Sequence, residues 1–481
     1  MELNCDGLID KLKEFNKRDL IILLIPLLIF SFYLYVFNPG IATYDTFNQI
    51  HQIASGQFTN WHPFFHTFIN MLCLKVYPNP LSIGIFQILV FSTMWMIICK
   101  YNRDDTSKSN KTFILQAFIT LIICLIPINA LYSITIWKDI LFSYFLMFLC
   151  FLVYILMDKK GTVDYKFIIL LSLVMAFISQ LRGNGLYVII IALIIYSVYL
   201  FLKKNTKMSI LLPTLTIIFI LLIASLNIAY DVQDNEKDAL MTKTAHMLAD
   251  YDLNLEIEDG DRQKIHELID ENKTDENYEP TGSDRIYAIT NKTAFENNKD
   301  TYLGLALKYS MANPLHCSKY LLDSSPMAWD IVRDSDWFGR PYYMAEDADR
   351  LQRDFEYYYS IHNYTATYDY ENISYINWGT HLFNTLNSLA LYIEGNVILD
   401  TLFDSPALYM YLSIIVLIGI YAITRSKEML LIYIPNLLNI IVVFLSTPIQ
   451  DNRYLYANLL VCYLLIIILI GLIQKSDKNL K

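Results

Sequence analysis

Long apolar runs constrain the fold of this chain more than any other feature of its sequence. A helix needs about 20 apolar residues to cross roughly 30 Å of hydrocarbon. The runs that approach this length cover approximately residues 20–37, 80–99, 112–128, 140–157, 167–180, 185–202, 209–229, 407–424, 429–446 and 454–473. With 55% apolar and only 17% charged residues in 481, the composition is typical of an integral membrane protein. The sequence therefore predicts an all-α polytopic membrane protein with about ten transmembrane helices.

The distribution of basic residues predicts how these spans are oriented. Lys and Arg of short loops stay on the cytoplasmic side, and here they cluster before the first run and in every second loop after it. The short external loops hold few basic residues, namely Lys75, Lys138, Arg182 and Arg453. We therefore expect a multi-pass protein of the plasma membrane with both termini in the cytoplasm. The apolar stretch 63–77 would invert this pattern if it crossed the bilayer, so we expect it to form a surface helix.

A polar insertion divides the predicted spans into two groups. The N-terminal membrane module, 1–229, has seven spans and the first external loop, 38–79, whereas the C-terminal module, 406–481, has three. The insertion, 230–405, is long enough to be a domain of its own. Its helical patterning and tyrosine clusters predict a mainly helical or mixed extracytoplasmic domain. Its excess of acidic residues argues against nucleic acid as a partner.

The first external loop carries the residue on which the functional hypothesis depends. Asn38-Pro39-Gly40 ends the first span because Pro and Gly continue a helix poorly. Asp45 follows, at the start of an amphipathic stretch at 46–54 that is typical of a helix lying along the membrane surface. An Asp ahead of a helix is also a favoured N-cap, so capping and catalysis are both open for Asp45.

Further ionisable residues recur at the same outer level of the membrane. Lys138 and Asp139 begin the fourth predicted span, Arg182 the sixth and Arg453 the tenth. Charged groups at this depth are costly and are functional candidates by default. Lys and Arg suit a lipid phosphate, and a carboxylate can take the proton of an attacking hydroxyl. The pattern predicts a donor-phosphate site at Lys138, Arg182 and Arg453, with Asp45 as general base and Asp139 as a second catalytic carboxylate.

Polar residues beside these motifs complete the predicted substrate site, and they are Tyr44, Gln49, His62, His66 and Asn184. His62 and His66 are four residues apart, so one helix face could present both to a metal. No third ligand is evident, which favours a structural role at the interface and predicts no metal site. A divalent cation, Mg²⁺ or Mn²⁺, at Asp139 is kept as an alternative.

The same motifs resemble a known family. A first span, an external loop with Asp45, a surface helix, and a second surface helix opened by His62-Pro63 are similar to the GT-C superfamily of polyprenyl-phosphate-sugar-dependent membrane glycosyltransferases. The protein mannosyltransferase-like branch is the most similar. The resemblance covers about the first 200 residues. It implies a GT-C-like fold, Asp45 as general base, a polyprenyl-phosphate-linked sugar as donor, and a glycan, lipid or protein acceptor outside the cytoplasm.

Two features set the chain apart from the commoner form of that family. Tyr44-Asp45 lacks the second acid of an Asp-X-Asp or Asp-Glu pair, and the soluble part is inserted before the last three spans. The Tyr-Asp, Trp-Lys-Asp and Arg-X-Asn motifs also resemble uncharacterised bacterial multi-pass proteins, which implies a bacterial cell envelope. Two other functions stay open: a polymerase or ligase of lipid-linked oligosaccharides, and a lipid or polysaccharide transporter or flippase. A transporter is expected to place its polar residues near the bilayer midplane, beside broken helices.

Overall fold

The computed structural model describes residues 15–103, 110–233, 236–332, 377–446, 448 and 451–479. The side chains of residues 44, 47, 51, 54, 236–239, 377–380 and 477–479 are outside this description. All regular elements of two or more turns within these ranges are helices, and the extended backbone is limited to isolated bridges. The protein is therefore helical throughout its described part, as the apolar runs predict.

The membrane-level helices follow the predicted runs closely. They are α1 Lys17–Val36, α4 Leu81–Tyr101, α5 Lys111–Leu125, α6 Pro127–Ile134, α7 Lys138–Asp158, α8 Tyr165–Leu181, α9 Gly183–Leu202, α10 Thr206–Ala229, α20 Pro406–Thr424, α21 Ile434–Ser446 and α22 Ala457–Asn479. Short 3₁₀ helices at Lys427–Tyr433 and Asn452–Leu455 lead into α21 and α22. Within the described residues, eight spans are long and apolar enough to cross a bilayer, or nine if α5 and α6 count as one.

Two of the ten predicted spans differ from a straight crossing. The run at 112–128 divides into α5 and α6, which meet at an angle of 70°. Pro127 explains the break, because it cannot donate a backbone hydrogen bond to α5 but is well suited to the first turn of α6. The run at 167–180 forms α8, whose 17 residues extend about 26 Å and fall short of the full hydrocarbon thickness.

Helix α7 lies at the centre of the membrane bundle. Its span is 94% buried, whereas that of α10, at the periphery, is 17% buried. α7 packs against α8, α22, α21 and the 3₁₀ helix that leads into α21. Because Lys138 and Asp139 are its first two residues, both begin at the middle of the bundle rather than at its lipid-facing edge.

Both helices predicted for the loop between α1 and α4 are present. α2, Tyr44–Ser55, contains the predicted stretch 46–54, and α3, Phe64–Val76, corresponds to the predicted 63–77. Both are short, with 12 and 13 residues, and neither meets the length of a span. α3 packs against α4 and α8, so it lies on the bundle itself.

The described part of the polar insertion is a set of short helices with a separate hydrophobic core. The helices are α11 Glu236–Asn254, α12 Asp259–Leu268, α13 Glu271–Asn277, α14 Asp284–Ala288, α15 Lys292–Asn297, α16 Lys299–Ala312 and α17 Pro314–Asp323. Their core includes Leu248, Ile265, Ile286 and Tyr302, which share no cluster with the membrane bundle. Two further helices, α18 Asn377–Glu394 and α19 Val397–Asp404, precede α20. The boundaries of the predicted domains stay predictions, because residues 333–376 lie outside the description.

Candidate functional site

Backbone contacts of the first loop bring its Asp next to the start of α7. Ile41 forms an isolated parallel bridge with Thr135, accepting from the Ile136 amide at 3.0 Å and donating to the Ile134 carbonyl at 3.0 Å. At the start of α2, the Thr46 hydroxyl donates to the Ile136 carbonyl at 2.8 Å. These bonds hold the N-terminus of α2 beside the segment that leads into α7. Asp45 and Lys138 therefore meet although 93 residues separate them.

Two cations hold one oxygen of the Asp45 carboxylate. Lys138 Nζ donates to Asp45 Oδ2 at 3.2 Å, and Arg453 Nη1 donates to the same oxygen at 2.9 Å. The other oxygen, Oδ1, faces His62 Nε2 at 4.0 Å, which is too long for a hydrogen bond. The Asp45 side chain is 24% exposed, compared with 15% for Lys138 and 14% for Arg453. A ligand that enters the cluster therefore meets the Asp45 carboxylate most readily.

The contacts of His62 fix its tautomer. Lys138 Nζ lies 3.3 Å from His62 Nδ1, and an ammonium group can only donate. His62 Nδ1 is therefore the acceptor, and in the neutral ring the proton is on Nε2, the atom that faces Asp45. The imidazole thus presents an N–H group to the free side of the Asp45 carboxylate.

Arg453 is held in place by a carboxylate and by aromatic rings. Asp451 Oδ2 lies 3.4 Å from Arg453 Nε, and Asp451 also caps the 3₁₀ turn by accepting from the Arg453 backbone amide at 2.9 Å. The guanidinium lies over the Trp137 ring at 4.5 Å and the Tyr454 ring at 5.3 Å, within the range of cation–π attraction. Trp137 is fixed in turn by donating to the Thr43 hydroxyl at 2.6 Å. Trp137, Tyr454 and Asp451 were not among the predicted site residues, although all three flank predicted cations in the sequence.

Asp139 and Arg182 form a second, deeper ion pair. Asp139 is fully buried, and its Oδ1 lies 3.2 Å from Arg182 Nε and its Oδ2 3.9 Å from Lys138 Nζ. Arg182 also donates to the Tyr454 carbonyl at 3.0 Å, and its guanidinium lies between the rings of Tyr454 and Phe142. Only 6% of Arg182 is exposed. Arg182 therefore supports the cluster from within, whereas Lys138 and Arg453 face Asp45.

Two glycines in the turn that carries Arg182 provide a matched test of how closely this turn packs against α8 and the Phe142 ring. A methyl group at Gly185 would lie 2.2 Å from the Ile178 carbonyl and 3.1 Å from the Phe142 ring, whereas one at Gly183 would meet no atom within 4 Å. Gly185→Ala is expected to lower the thermal unfolding temperature by the equivalent of about 1–3 kcal/mol, because the Arg182 turn must shift. Gly183→Ala should leave it nearly unchanged. Equal effects of the two substitutions would contradict this account.

His66 and Gln49 form an internal hydrogen-bond network rather than an open binding surface. Gln49 Nε2 donates to the Thr67 hydroxyl at 3.2 Å, and Gln49 Oε1 lies 3.0 Å from His66 Nδ1. Asn70 Nδ2 lies 3.4 Å from the same nitrogen, and the shorter contact, to Gln49, makes His66 Nδ1 the donor and leaves Nε2 unprotonated in the neutral ring. His66 Nε2 and Asn70 Oδ1 are buried and have no hydrogen-bond partner in the described chain. These two acceptors lie one turn apart on α3.

The remaining predicted site residues are not joined to the ion cluster by described side-chain contacts. Asn184 Nδ2 donates to the Ser446 hydroxyl at 3.1 Å, which links α9 to α21. Tyr44 is the first residue of α2, but its side chain lies outside the description. The structure thus brings together Asp45, His62, Lys138, Asp139, Arg182 and Arg453.

Burial and neighbouring charges act in opposite directions on the acids of the site. Burial raises the pKa of Asp45, but the positive charges of Lys138 and Arg453 outweigh it and hold the pKa well below its usual range. Burial raises the pKa of Asp451, and the attraction of Arg453 does not compensate fully. Burial, with Lys138 nearby, lowers the pKa of His62 to about 4. At neutral pH, Asp45 is therefore a carboxylate and His62 is neutral.

This low pKa of His62 predicts a loss of stability in mild acid. The unfolded chain takes up a proton on His62 below pH of about 6.5, whereas the folded chain does so only near pH 4. The contribution of His62 to the free energy of unfolding is therefore fully present above pH of about 6.5. It is lost as the pH falls towards 4, by up to about 3 kcal/mol. His62→Gln should flatten the decline of the unfolding temperature between pH 7 and pH 4. An unchanged slope would contradict the prediction. Asp45 does not interfere, because its contribution is lost only below pH of about 4.

The ion cluster does not fit a divalent cation. Asp45 Oδ2 already accepts from two cations, and both oxygens of Asp139 face Lys138 or Arg182. Among the described residues, no group of three or more His, Cys, Asp or Glu side chains is arranged to hold a metal ion. We therefore assign no step to a metal.

Comparisons of the chain with protein-family models, with curated proteins and with solved structures found no match. What the site does is therefore inferred from its own geometry and chemistry.

Proposed function

We propose that this protein is a membrane glycosyltransferase that moves a sugar from a polyprenyl-phosphate donor to an acceptor outside the cytoplasm, with inversion at the anomeric carbon. One observation carries the proposal: Lys138 and Arg453 both donate hydrogen bonds to the same oxygen of the partly exposed Asp45 carboxylate. In this arrangement Asp45 occupies the place of an anion. A lipid phosphate would bind the same two cations with the same charge-assisted hydrogen bonds.

The proposed reaction uses the two sides of the cluster differently. The acceptor hydroxyl oxygen forms a bond to the anomeric carbon while the bond from that carbon to the donor phosphate oxygen breaks. The electron pair of the broken bond goes to the phosphate, whose charge becomes more negative. Lys138 and Arg453 stabilise that charge, which is the kind of transition-state interaction that lowers a barrier. The hydroxyl proton goes to Asp45.

The pKa of Asp45 agrees with this division of roles. In the resting site the two cations keep the pKa of Asp45 low, so the carboxylate is a weak base. A phosphate that binds Lys138 and Arg453 removes part of their effect on Asp45 and adds a negative charge nearby. Both changes raise the pKa of Asp45. Donor binding would thus activate the base, with Oδ1 on the His62 side as the oxygen that receives the proton.

The other site residues have supporting roles in this proposal. Arg182 and Asp139 position Lys138 and Tyr454 from within the bundle. The helices of the insertion reach the site loop, since the Trp61 and Tyr287 rings lie 6.1 Å apart and the Phe58 carbonyl accepts from the Gln233 amide at 2.9 Å. We propose that this part selects the acceptor, a cell-envelope glycan, lipid or protein.

The topology belongs to the same proposal. We count the bent pair α5 and α6 and the short α8 as crossings, which makes ten spans with both termini in the cytoplasm of a bacterial cell. The basic loops support this orientation. The ion cluster then faces outward, at the level where a polyprenyl-linked donor presents its phosphate. A GT-C-like relationship is part of the proposal and rests on the motifs of the first external loop.

A second candidate is a lipid or polysaccharide flippase, and one observation favours it. α5 and α6 are broken at 70°, and broken helices are common in transporters. However, the charged residues of the described site gather at the ends of α2, α7, α9 and α22 rather than at mid-span. That location favours transfer over transport.

Deletion and complementation test the proposed function. Envelope glycans of cells with the intact gene, without it, and with it restored would be compared by mass spectrometry. We expect deletion to remove one sugar modification and the wild-type chain to restore it. Glycans that are unchanged on deletion would contradict transfer, whereas accumulation of a complete lipid-linked glycan on the cytoplasmic side would support the flippase.

A further inference from the structure

The interior of the membrane bundle contains a polar cluster separate from the ion cluster. Asn436 and Asn439 lie one turn apart on α21, and both are completely buried. Asn439 is about 10 Å along the helix from Ser446, at the outer end of α21. α21 packs against α9 and against the central helix α7, so this face is directed into protein.

Half of the amide atoms of this cluster lack a hydrogen-bond partner. Asn436 Nδ2 donates to Asn458 Oδ1 at 2.9 Å, and Asn458 Nδ2 donates to the Pro406 carbonyl at 3.1 Å. Asn436 Oδ1 and both amide atoms of Asn439 have no hydrogen-bond partner within the described part of the chain. Such groups are rare in a protein interior and rarer in a membrane, because each has lost its bonds to water.

The chemistry of the unpaired groups indicates what they bind. The set includes both kinds of group, the Asn439 amide donor and the Asn436 and Asn439 carbonyl acceptors. No ionised side chain bonds to Asn436, Asn439 or Asn458 in the described chain. An anion or a cation would leave half of these groups unsatisfied. One water molecule, or two neighbouring hydroxyl groups of a carbohydrate, can donate to both carbonyl oxygens and accept from the Asn439 amide.

We propose that Asn436 and Asn439 form an internal binding site for a neutral hydroxyl-bearing ligand. Water and a carbohydrate hydroxyl share this chemistry, and the site can take either. Its position below the outer ion cluster is independent of what that cluster does. The inference therefore stands whether the protein transfers a sugar or transports one.

The direction and size of a stability change test this site. Asn439→Leu keeps the number and branching of the side-chain heavy atoms, removes both amide groups and adds bulk, as the same substitution does at the control position below. If a hydroxyl ligand occupies the site, the substitution removes its bonds and lowers the thermal unfolding temperature of the full chain in lipid nanodiscs. If the site is empty, the substitution removes unsatisfied groups, and the unfolding temperature rises or falls much less than in the Asn129→Leu control. The second result would overturn the proposal.

Asn129→Leu is the control, because it shows how far the unfolding temperature falls when an amide with hydrogen-bond partners is removed. Asn129 is also buried, but its amide donates to the Ile123 carbonyl at 2.8 Å and accepts from the Tyr456 hydroxyl at 3.1 Å. This control must lower the unfolding temperature. We expect Asn439→Leu to lower it to a comparable extent.

Glucose distinguishes the two sources of the hydroxyl. Sugars stabilise proteins generally by exclusion from their surface, so the comparison is between wild type and Asn439→Leu at equal glucose concentration. A larger rise for wild type identifies a carbohydrate hydroxyl as the occupant, and an equal rise identifies water. If the variant does not accumulate in membranes, a density map of the wild-type chain decides. A peak within hydrogen-bond distance of the Asn439 amide supports the site, and apolar packing without a peak overturns it.

Discussion

Asp45→Asn is expected to lower the rate of sugar transfer by about 10²–10⁴-fold, the usual contribution of a general base. The substitution keeps the shape of the side chain but removes the proton acceptor. It also removes the negative charge that Lys138 and Arg453 share. The rate would be measured as the appearance of the gene-dependent envelope modification after induction, with membrane levels of the proteins matched.

A control substitution shows that an Asp→Asn change away from the ion cluster leaves transfer unaffected. Asp270 lies in the insertion, where it caps α13, and Asn is an equally good cap. Asp270→Asn should transfer sugar at the wild-type rate. If Asp45→Asn retains more than about a tenth of the rate while Asp270→Asn behaves as wild type, Asp45 is not the base.

Arg182→Met is expected to cause the largest loss of stability, about 3 kcal/mol or more, because it leaves the Asp139 carboxylate buried without its nearest cation. Lys138 lies 3.9 Å from Asp139 and compensates only in part. The substitution should lower the unfolding temperature in detergent much more than an exposed charge change does.

The double variant Arg182→Met with Asp139→Leu provides the control for this pair. Removing both charges avoids an unpaired buried carboxylate, so the double variant should be more stable than Arg182→Met alone. This outcome would show that Arg182 acts mainly through Asp139. Equal instability of the single and double variants would contradict the described pairing.

The sequence was sufficient to predict which ionisable residues gather in one cluster, because charges are rare in apolar runs. Lys138, Arg182 and Arg453 interrupt the pattern, and the basic loops place all of them on one side. Their pairing was not predictable. Nothing in the sequence indicates that Arg182 faces Asp139 whereas Arg453 faces Asp45, since that choice depends on how α9 and α22 pack around α7.

Polar side chains within the spans were the weakest part of the sequence prediction. Asn436 and Asn439 interrupt an apolar run, but their amides carry no charge and were absorbed into a span. Outside the spans, the sequence places Gln49 and His66 beside Asp45 and His62 but does not show that they bond to each other. Pro127 is a local signal for the bend between α5 and α6, but it lies inside an apolar run whose length predicts a single span. Local patterns predict helices well, and long-range packing decides which polar groups meet.

The most direct test of the central claim is the fate of the lipid donor. Purified wild-type chain and Asp45→Asn in lipid nanodiscs would be incubated with the polyprenyl-phosphate sugars and the envelope glycans extracted from the producing cells. Sugar-free polyprenyl phosphate would then be measured by mass spectrometry. We predict its release by the wild-type chain and not by Asp45→Asn. Equal release by both folded proteins, or release by neither, would contradict the proposal that Asp45, Lys138 and Arg453 form a glycosyltransferase site.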